Sequence, residues 1–269
     1  MMRSQRTHVW AGVYRTIQEA ALDARRGSVA SKGSSSRRSS SFEQQRWVQH
    51  QIEEAKKLRE DGNRPGASRG ILKEVLAGYL VGHVTPISIL DFGGGLALEY
   101  LRLQAARLPM KNIRFCVIET PTICRAGRAF FRFEERVNFR STLPSAGRRI
   151  NIFHAANSLH YVLDWKKFLA RALSLKPELL VLPGVMAGPI PTFGSLQSYY
   201  GNRLPVWFWN EDEFISVVEG LGYDCVFRNQ AEARYFGRVR DLPMSNFPRS
   251  HRLRRKCDLV FRRNTARQA

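Results

Sequence analysis

The stretch Ile89-Leu90-Asp91-Phe92-Gly93-Gly94-Gly95 decides how this chain reads: an apolar strand runs into three glycines, and Leu96-Ala97-Leu98-Glu99-Tyr100-Leu101 then starts a helix. Without Cβ atoms at Gly93, Gly94 and Gly95, the backbone takes positive φ freely and approaches a ligand closely. A second apolar strand, Ile113 to Ile118, ends in Glu119, 24 positions beyond Gly95. An acid at that place accepts hydrogen bonds from ribose hydroxyls in a nucleotide-binding strand–helix–strand unit. Strand, glycine turn, helix, strand and acid, in that order, point to a nucleotide-type ligand, with a purely structural tight turn as the alternative.

The 269 residues, 43% hydrophobic and 11% aromatic, suffice for one good core with flexible additions. The formal charge of +20 is unevenly spread. Residues 1–41 hold eight Lys/Arg against two acids and residues 226–269 hold twelve against three, which leaves +5 for the 184 residues between. Nucleic acid or an anionic membrane would suit such ends. Solvated arginine-rich tails are the competing explanation, and the aromatics are not interleaved with the basic clusters as a single-strand stacking platform requires. Cys116, Cys124, Cys225 and Cys257 form no CxxC pair, which fits a reducing compartment. No run is long enough for a membrane span, and no apolar signal segment follows Met1–Arg6, so a cytoplasmic protein is expected. The Arg- and Ser-rich opening has the composition of a transit peptide, although Trp10-Ala11-Gly12-Val13-Tyr14 is too structured for one.

The low-complexity run Ser31–Ser41 reads as a flexible link, dividing a basic leader over 1–41 from a domain over 42–269. Helices are expected within 42–60 and 71–81, as an N-terminal part (42–85) ahead of the core (86–269). After Glu119 come a helix near 122–133, strands at 137–140 and 150–155, a helix at 165–175, a strand at 178–185, a helix at 212–221 closed by Gly222, and strands at 223–228 and 257–263. Alternating strands and helices predict a Rossmann-like, doubly wound α/β fold: a mostly parallel seven-stranded sheet, covered on both faces, with an antiparallel C-terminal edge strand. Met186–Asn210, rich in Gly, Pro and aromatics, falls where a loop over an acceptor would sit. Tyr199, Tyr200, Trp207, Phe208 and Trp209 there suit either stacking on a sugar ring or the segment's own packing.

Ligands of such a sheet lie beyond the strands' carboxyl ends. The loops that meet there carry Asp91 and the glycines, Glu119-Thr120, Ser141-Thr142, and Ala156-Asn157-Ser158-Leu159-His160. Asp91 would orient the glycine loop, balance a cationic ligand or cap the next helix. At these residues the chain resembles the class I S-adenosylmethionine-dependent methyltransferases, with Asp91, Gly93, Gly95 and Glu119 matching their first two motifs and Ala97 standing where many members have Gly. The order Glu219-Gly220-Leu221-Gly222-Tyr223 also looks like the end of that fold.

A wider resemblance is to a family of bacterial methyltransferases associated with surface-polysaccharide gene clusters. It rests on Trp10-Ala11-Gly12-Val13-Tyr14, Leu90-Asp91-Phe92-Gly93-Gly94, Val117-Ile118-Glu119-Thr120-Pro121, Ser158-Leu159-His160-Tyr161-Val162-Leu163-Asp164 and Pro205-Val206-Trp207-Phe208. The resemblance implies S-adenosyl-L-methionine as cofactor, held by Asp91, Gly93, Gly94, Gly95, Glu119, Thr120, Ser141, Asn157 and Ser158. It does not supply the acceptor, for which a sugar hydroxyl or another small molecule is favoured. His160 is the candidate general base, with a hydrogen-bonding or packing role as the alternative because the family usually has Gln there. His154 reads as a core histidine, and no metal-ligand spacing or Gly-x-Ser-x-Gly elbow is present. An RNA methyltransferase, a non-catalytic binding module of the same fold and a dinucleotide oxidoreductase remain the other readings. The absence of an Asn/Asp-Pro-Pro-Tyr/Phe motif speaks against amino methylation of bases.

Overall fold

A computed structural model describes residues 8–29, 41–60, 71–82, 86–145, 147–231, 234–235, 238–239 and 241–265. Strand β1 (Trp10–Tyr14) and helices α1 (Ile17–Val29), α2 (Gln45–Glu60) and α3 (Leu72–Val81) precede β2 (Ile87–Phe92), which the glycine turn joins to α4 (Leu98–Ala105). Then follow β3 (Ile113–Ile118), α5 (Pro121–Phe130), β4 (Val137–Arg140), β5 (Ile152–His154), α6 (Trp165–Leu173), β6 (Leu179–Val185), the short β7 (Ala187–Gly188), β8 (Phe193–Tyr199), β9 (Asn202–Asn210) and α7 (Glu211–Glu219). Last come β10 (Tyr223–Ala231), a two-residue ladder of β11 (Arg234–Tyr235) with β12 (Arg238–Val239), and β13 (Lys256–Arg263). Local chemistry starts the helices. The side chains of Thr120, Asp164 and Asn210 accept from the backbone N–H groups of Ile123, Lys167 and Glu213, and Pro121 opens α5 with a φ already suited to a helix.

The seven-stranded sheet runs β10-β13-β6-β5-β2-β3-β4, with β2 to β6 parallel to their neighbours and β13 antiparallel to both β6 and β10. The expected antiparallel end of the sheet is present; the C-terminal strand lies one in from the edge, and β10 is outermost. Strand order reverses at β2, which has β3 on one side and β5 on the other, so β2 and β5 flank the switch point where open α/β sheets bind ligands.

One face of the sheet buries Ile87, Ile89, Phe115, Val117 and Phe139 against α2 to α5, and the other buries Phe153, Leu180, Leu182, Leu259 and Phe261 against Trp165, Leu169, Phe214 and Val218 of α6 and α7. Among the described residues the second face is not covered throughout, contrary to the expectation from alternation. The connection from β4 to β5 contains no helix among the described residues, and the outward side chains of β2, β3 and β4 line an open groove.

A four-stranded sheet of order β1-β8-β9-β7 was not expected. Met186–Asn210 is mostly the β8–β9 hairpin rather than a loop, because Val206, Phe208 and Trp209 have a core to enter. Phe208 stacks on Phe193 at 5.0 Å and takes the edge of Trp10 at 5.8 Å, while Trp209 packs against Trp165 at 5.4 Å. These two aromatics are structural. The leader expected over 1–41 includes β1, paired with β8, and α1, so residues 8–29 belong to the packed body through Trp10, Ile17 and Ala20, each at most 2% exposed. The flexible link expected over Ser31–Ser41 falls, but for Ser41, outside the described residues.

Trp10 therefore anchors the N-terminal segment, and Trp10→Ala should cost about 3–5 kcal/mol. Urea unfolding reads the loss, and limited proteolysis should open the 8–29 segment first; an unshifted midpoint would refute the anchoring role.

Candidate functional site

The tips of β2 and β3 build the centre of the site. Gly93 and Gly95 have φ of 71° and 56°, the left-handed region in which a side chain is strained. A Cβ on Gly93 would fall 2.5 Å from Cβ of Ser158, and one on Gly95 would fall 2.0 Å from Oε1 of Gln51. Gly94 lies over the carboxylate of Asp91. Ala97, at the start of α4, holds φ of 53° although fully buried, so this residue carries backbone strain at the turn.

Glu119 turns into the bend. Its Oε1 accepts from the N–H of Gly95 at 3.2 Å and its Oε2 from the N–H of Thr120 at 2.8 Å. Burial raises its pKa, the Asp91 charge adds to that, and the two backbone N–H groups oppose it. Asp91, 1% exposed, meets Nδ1 of His154 at 2.7 Å, and its Oδ2 is buried with no hydrogen-bond partner among the described residues. It does not cap α4. His154 is a core residue as expected, but paired: burial alone would lower its pKa, the Asp91 carboxylate outweighs this, and the net direction is upward.

The loop after β5 divides its residues. Ser158 donates its hydroxyl to the carbonyl of Phe92 at 2.8 Å and so packs onto the glycine turn. Asn157, with φ of 51°, turns the other way, its Oδ1 accepting from Nζ of Lys256 at 2.6 Å. Lys256 opens β13, and because β13 is antiparallel its first residue lies at the carboxyl ends of the parallel strands. Burial lowers the Lys256 pKa to about 8, against the pull of Asp258, whose Oδ1 accepts from the N–H of Gly184 at 2.8 Å. His160 is 4% exposed, lies 4.1 Å from the Tyr161 ring, and has its pKa pushed well down by burial and by the Lys256 charge. Thr120 caps α5, and Ser141 is exposed beyond β4.

Asp91, Gly93, Gly94, Gly95, Glu119, Thr120 and Ser158 are thus brought together, while Asn157 and His160 join Lys256 beside them. Gln51 and Lys256 escaped the sequence reading. Gln51, in α2, is 4% exposed and accepts from the N–H of Leu96 at 3.2 Å, but looks like one polar residue among many; Lys256 is hidden in a basic run. Phe42 and Trp47 form an aromatic wall alongside, with Phe42 5.0 Å from Tyr161 and Trp47 5.7 Å from Tyr199.

The raised imidazole pKa of His154 has a consequence for stability. Its contribution is full below the unfolded value of about 6.5 and is lost as pH rises through the higher folded value. Urea midpoints measured upward from pH 6 should fall over that window in the wild type and stay flatter in His154→Leu; parallel profiles would refute the pairing.

No protein-family model and no curated protein sequence matches the chain. Among solved structures, an S-adenosylmethionine-dependent methyltransferase from Clostridium acetobutylicum ATCC 824 aligns over 81% of this chain and 99% of its own, 7% identical, with a TM-score of 0.51. A complex of the Haloferax volcanii Trm112 methyltransferase activator with a methyltransferase contains a chain that aligns over 83% of this one and 95% of its own, 11% identical, with a TM-score of 0.50. The Burkholderia thailandensis 1,6-didemethyltoxoflavin-N1-methyltransferase aligns over 98% of both chains at 15% identity, but at a TM-score of 0.49 it adds nothing to the assignment. With the first two of these likenesses beside its seven-stranded, mostly parallel sheet, the chain has the fold of the class I S-adenosylmethionine-dependent methyltransferases.

Proposed function

We propose that the chain transfers a methyl group from S-adenosylmethionine to a hydroxyl of a small-molecule acceptor, a sugar being the favoured case. The observation that carries the reading is the clasp at adjoining strand tips, where the Glu119 carboxylate faces the Gly95 N–H at 3.2 Å beside the switch point. Bound there, S-adenosylmethionine supplies a methyl group already activated by its sulfonium. Each Glu119 oxygen keeps a lone pair for a ribose hydroxyl, and charged acceptors hold such groups strongly. The unpartnered Oδ2 of Asp91 suits a cationic amino group. Gly93 and Gly94, with Ser158 at the turn and Thr120 and Ser141 on the outer strand tips, complete the cradle.

The acceptor hydroxyl must lose a proton as its oxygen gains the methyl group. Lys256, poised at about 8, is a better base for this than His160, whose depressed pKa leaves it neutral but weakly basic. Asn157 fixes the amine through the 2.6 Å hydrogen bond, and the wall of Phe42, Trp47, Tyr161 and Tyr199 keeps water from the reacting atoms. The resemblance to methyltransferases of surface-polysaccharide clusters supports a sugar acceptor. Four unpaired cysteines support a cytoplasmic setting, and no helix among the described residues is long and apolar enough to cross a membrane.

Calorimetric titration should show S-adenosylmethionine binding to the wild-type chain, and Glu119→Ala should weaken it by about 1.5–3 kcal/mol through loss of charged hydrogen bonds. A wild type that binds NADH and not S-adenosylmethionine would overturn the reading. With an accepted hydroxyl substrate, turnover should climb as pH rises through about 8, because the amine of Lys256 must be uncharged to take the proton. Lys256→Met should lose that limb and about 10²–10⁴-fold in kcat, whereas an unchanged profile would remove Lys256 from the reaction.

A further inference from the structure

The sheet face over β2, β3 and β4 that no helix covers among the described residues has a chemistry of its own. Parallel register sets Ser88 beside Arg114, Leu90 beside Cys116 and Asn138, and Phe92 beside Ile118 and Arg140. No helix crosses here among the described residues, and Pro144, Arg148 and residues 149–151 bound a recess of about 1030 Å³, lined also by Lys111, Arg114, Arg140 and one acid without a salt-bridge partner, Glu135. Among the described residues none of these four cations has a carboxylate partner, whereas Arg136 pairs with Glu134 and Arg149 with Glu178. Arg140 is half-buried, and its Nε is sealed from water with no hydrogen-bond partner. A buried guanidinium N–H without an acceptor is costly, and Arg140, only half-buried, lines the recess, where an anion can offset its charge.

We infer that this recess binds a diphosphate ester of about nucleoside-diphosphate size, at a site separate from the Gly93–Glu119 clasp. Set against the single acid Glu135, the four cations leave an excess of three positive charges, more than one carboxylate or one phosphate needs and a match for two adjacent phosphates held by charge-assisted hydrogen bonds. The recess is much larger than a pyrophosphate group, and the strip formed by Leu90, Phe115, Cys116 and Ile150 offers an apolar bed for the ester's body. Asn138, exposed on β4, can take its hydroxyls. A nucleic-acid strand fits less well. The cations line a single hollow, and among the described residues that line it the one exposed aromatic is Phe133, whose ring already carries the Arg132 guanidinium at 4.5 Å, where a strand would need a series of open faces.

The test titrates the full chain with ADP, UDP, inorganic pyrophosphate and a ten-nucleotide oligouridine RNA, each at two salt concentrations. The expected result is saturable binding of the nucleoside diphosphates, weaker binding of pyrophosphate, and a loss of about 100-fold in the double variant Arg114→Gln/Arg148→Gln, both residues being exposed and dispensable for the core. Arg25→Gln/Arg26→Gln on α1 removes the same charge and should change nothing, and Glu119→Ala should also leave this binding intact, so failure here is distinguishable from failure of the clasp. Absence of binding by any diphosphate, equal effects of the two double variants, or tight binding of the RNA alone would each overturn the inference.

Discussion

Everything at the ligand end of this molecule depends on the parallel pairing of β2 with β3. Asp91 opposite Val117 and Phe92 opposite Ile118 set the register, and it is this register that carries Glu119 past the end of its strand to the N–H of Gly95. A one-residue slip would send the acid to the other face of the sheet. The cost of burying a carboxylate there is partly offset by two backbone N–H groups, which the turn at Gly93–Gly95 and the start of α5 place within reach.

The same economy governs the rest of the site. Asp91 is offset by His154, Asp258 by the Gly184 N–H and by Lys256, and Lys256 in turn by Asn157. Burial outweighs the partners at Glu119 and Lys256, raising the first and lowering the second, whereas at His154 the Asp91 carboxylate outweighs burial and the shift is upward. On a different face Arg140 keeps a buried Nε without an acceptor, where the connection from β4 to β5 contains no helix among the described residues and basic side chains lie over the sheet.

Much of this could be read from the order of residues. The strands near 89, 113, 137, 150, 179, 223 and 257 and the helices between them follow from runs of apolar residues and their punctuation, and the glycine turn and Glu119 from composition at strand ends. What escaped was non-local. Trp10 and Phe208 meet across almost 200 positions, so neither the β1–β8 pairing nor the burial of the hairpin aromatics leaves a local trace. Alternation of strands and helices implied two covered faces, because the sequence between β4 and β5 gave no sign that its described residues would hold no helix.

The amino-acid order by itself determined the element sequence, the bend and the acid beyond it, since each rests on backbone freedom or periodicity within a few residues. Tertiary structure alone decided which side chains share a charge. Lys256 reaches Asn157, 99 positions away, only because β13 inserts antiparallel beside β6, and Gln51 reaches the bend only because α2 packs against α4. Electrostatic coupling depends on distance in space and on exclusion of water, and neither quantity exists until the chain has folded.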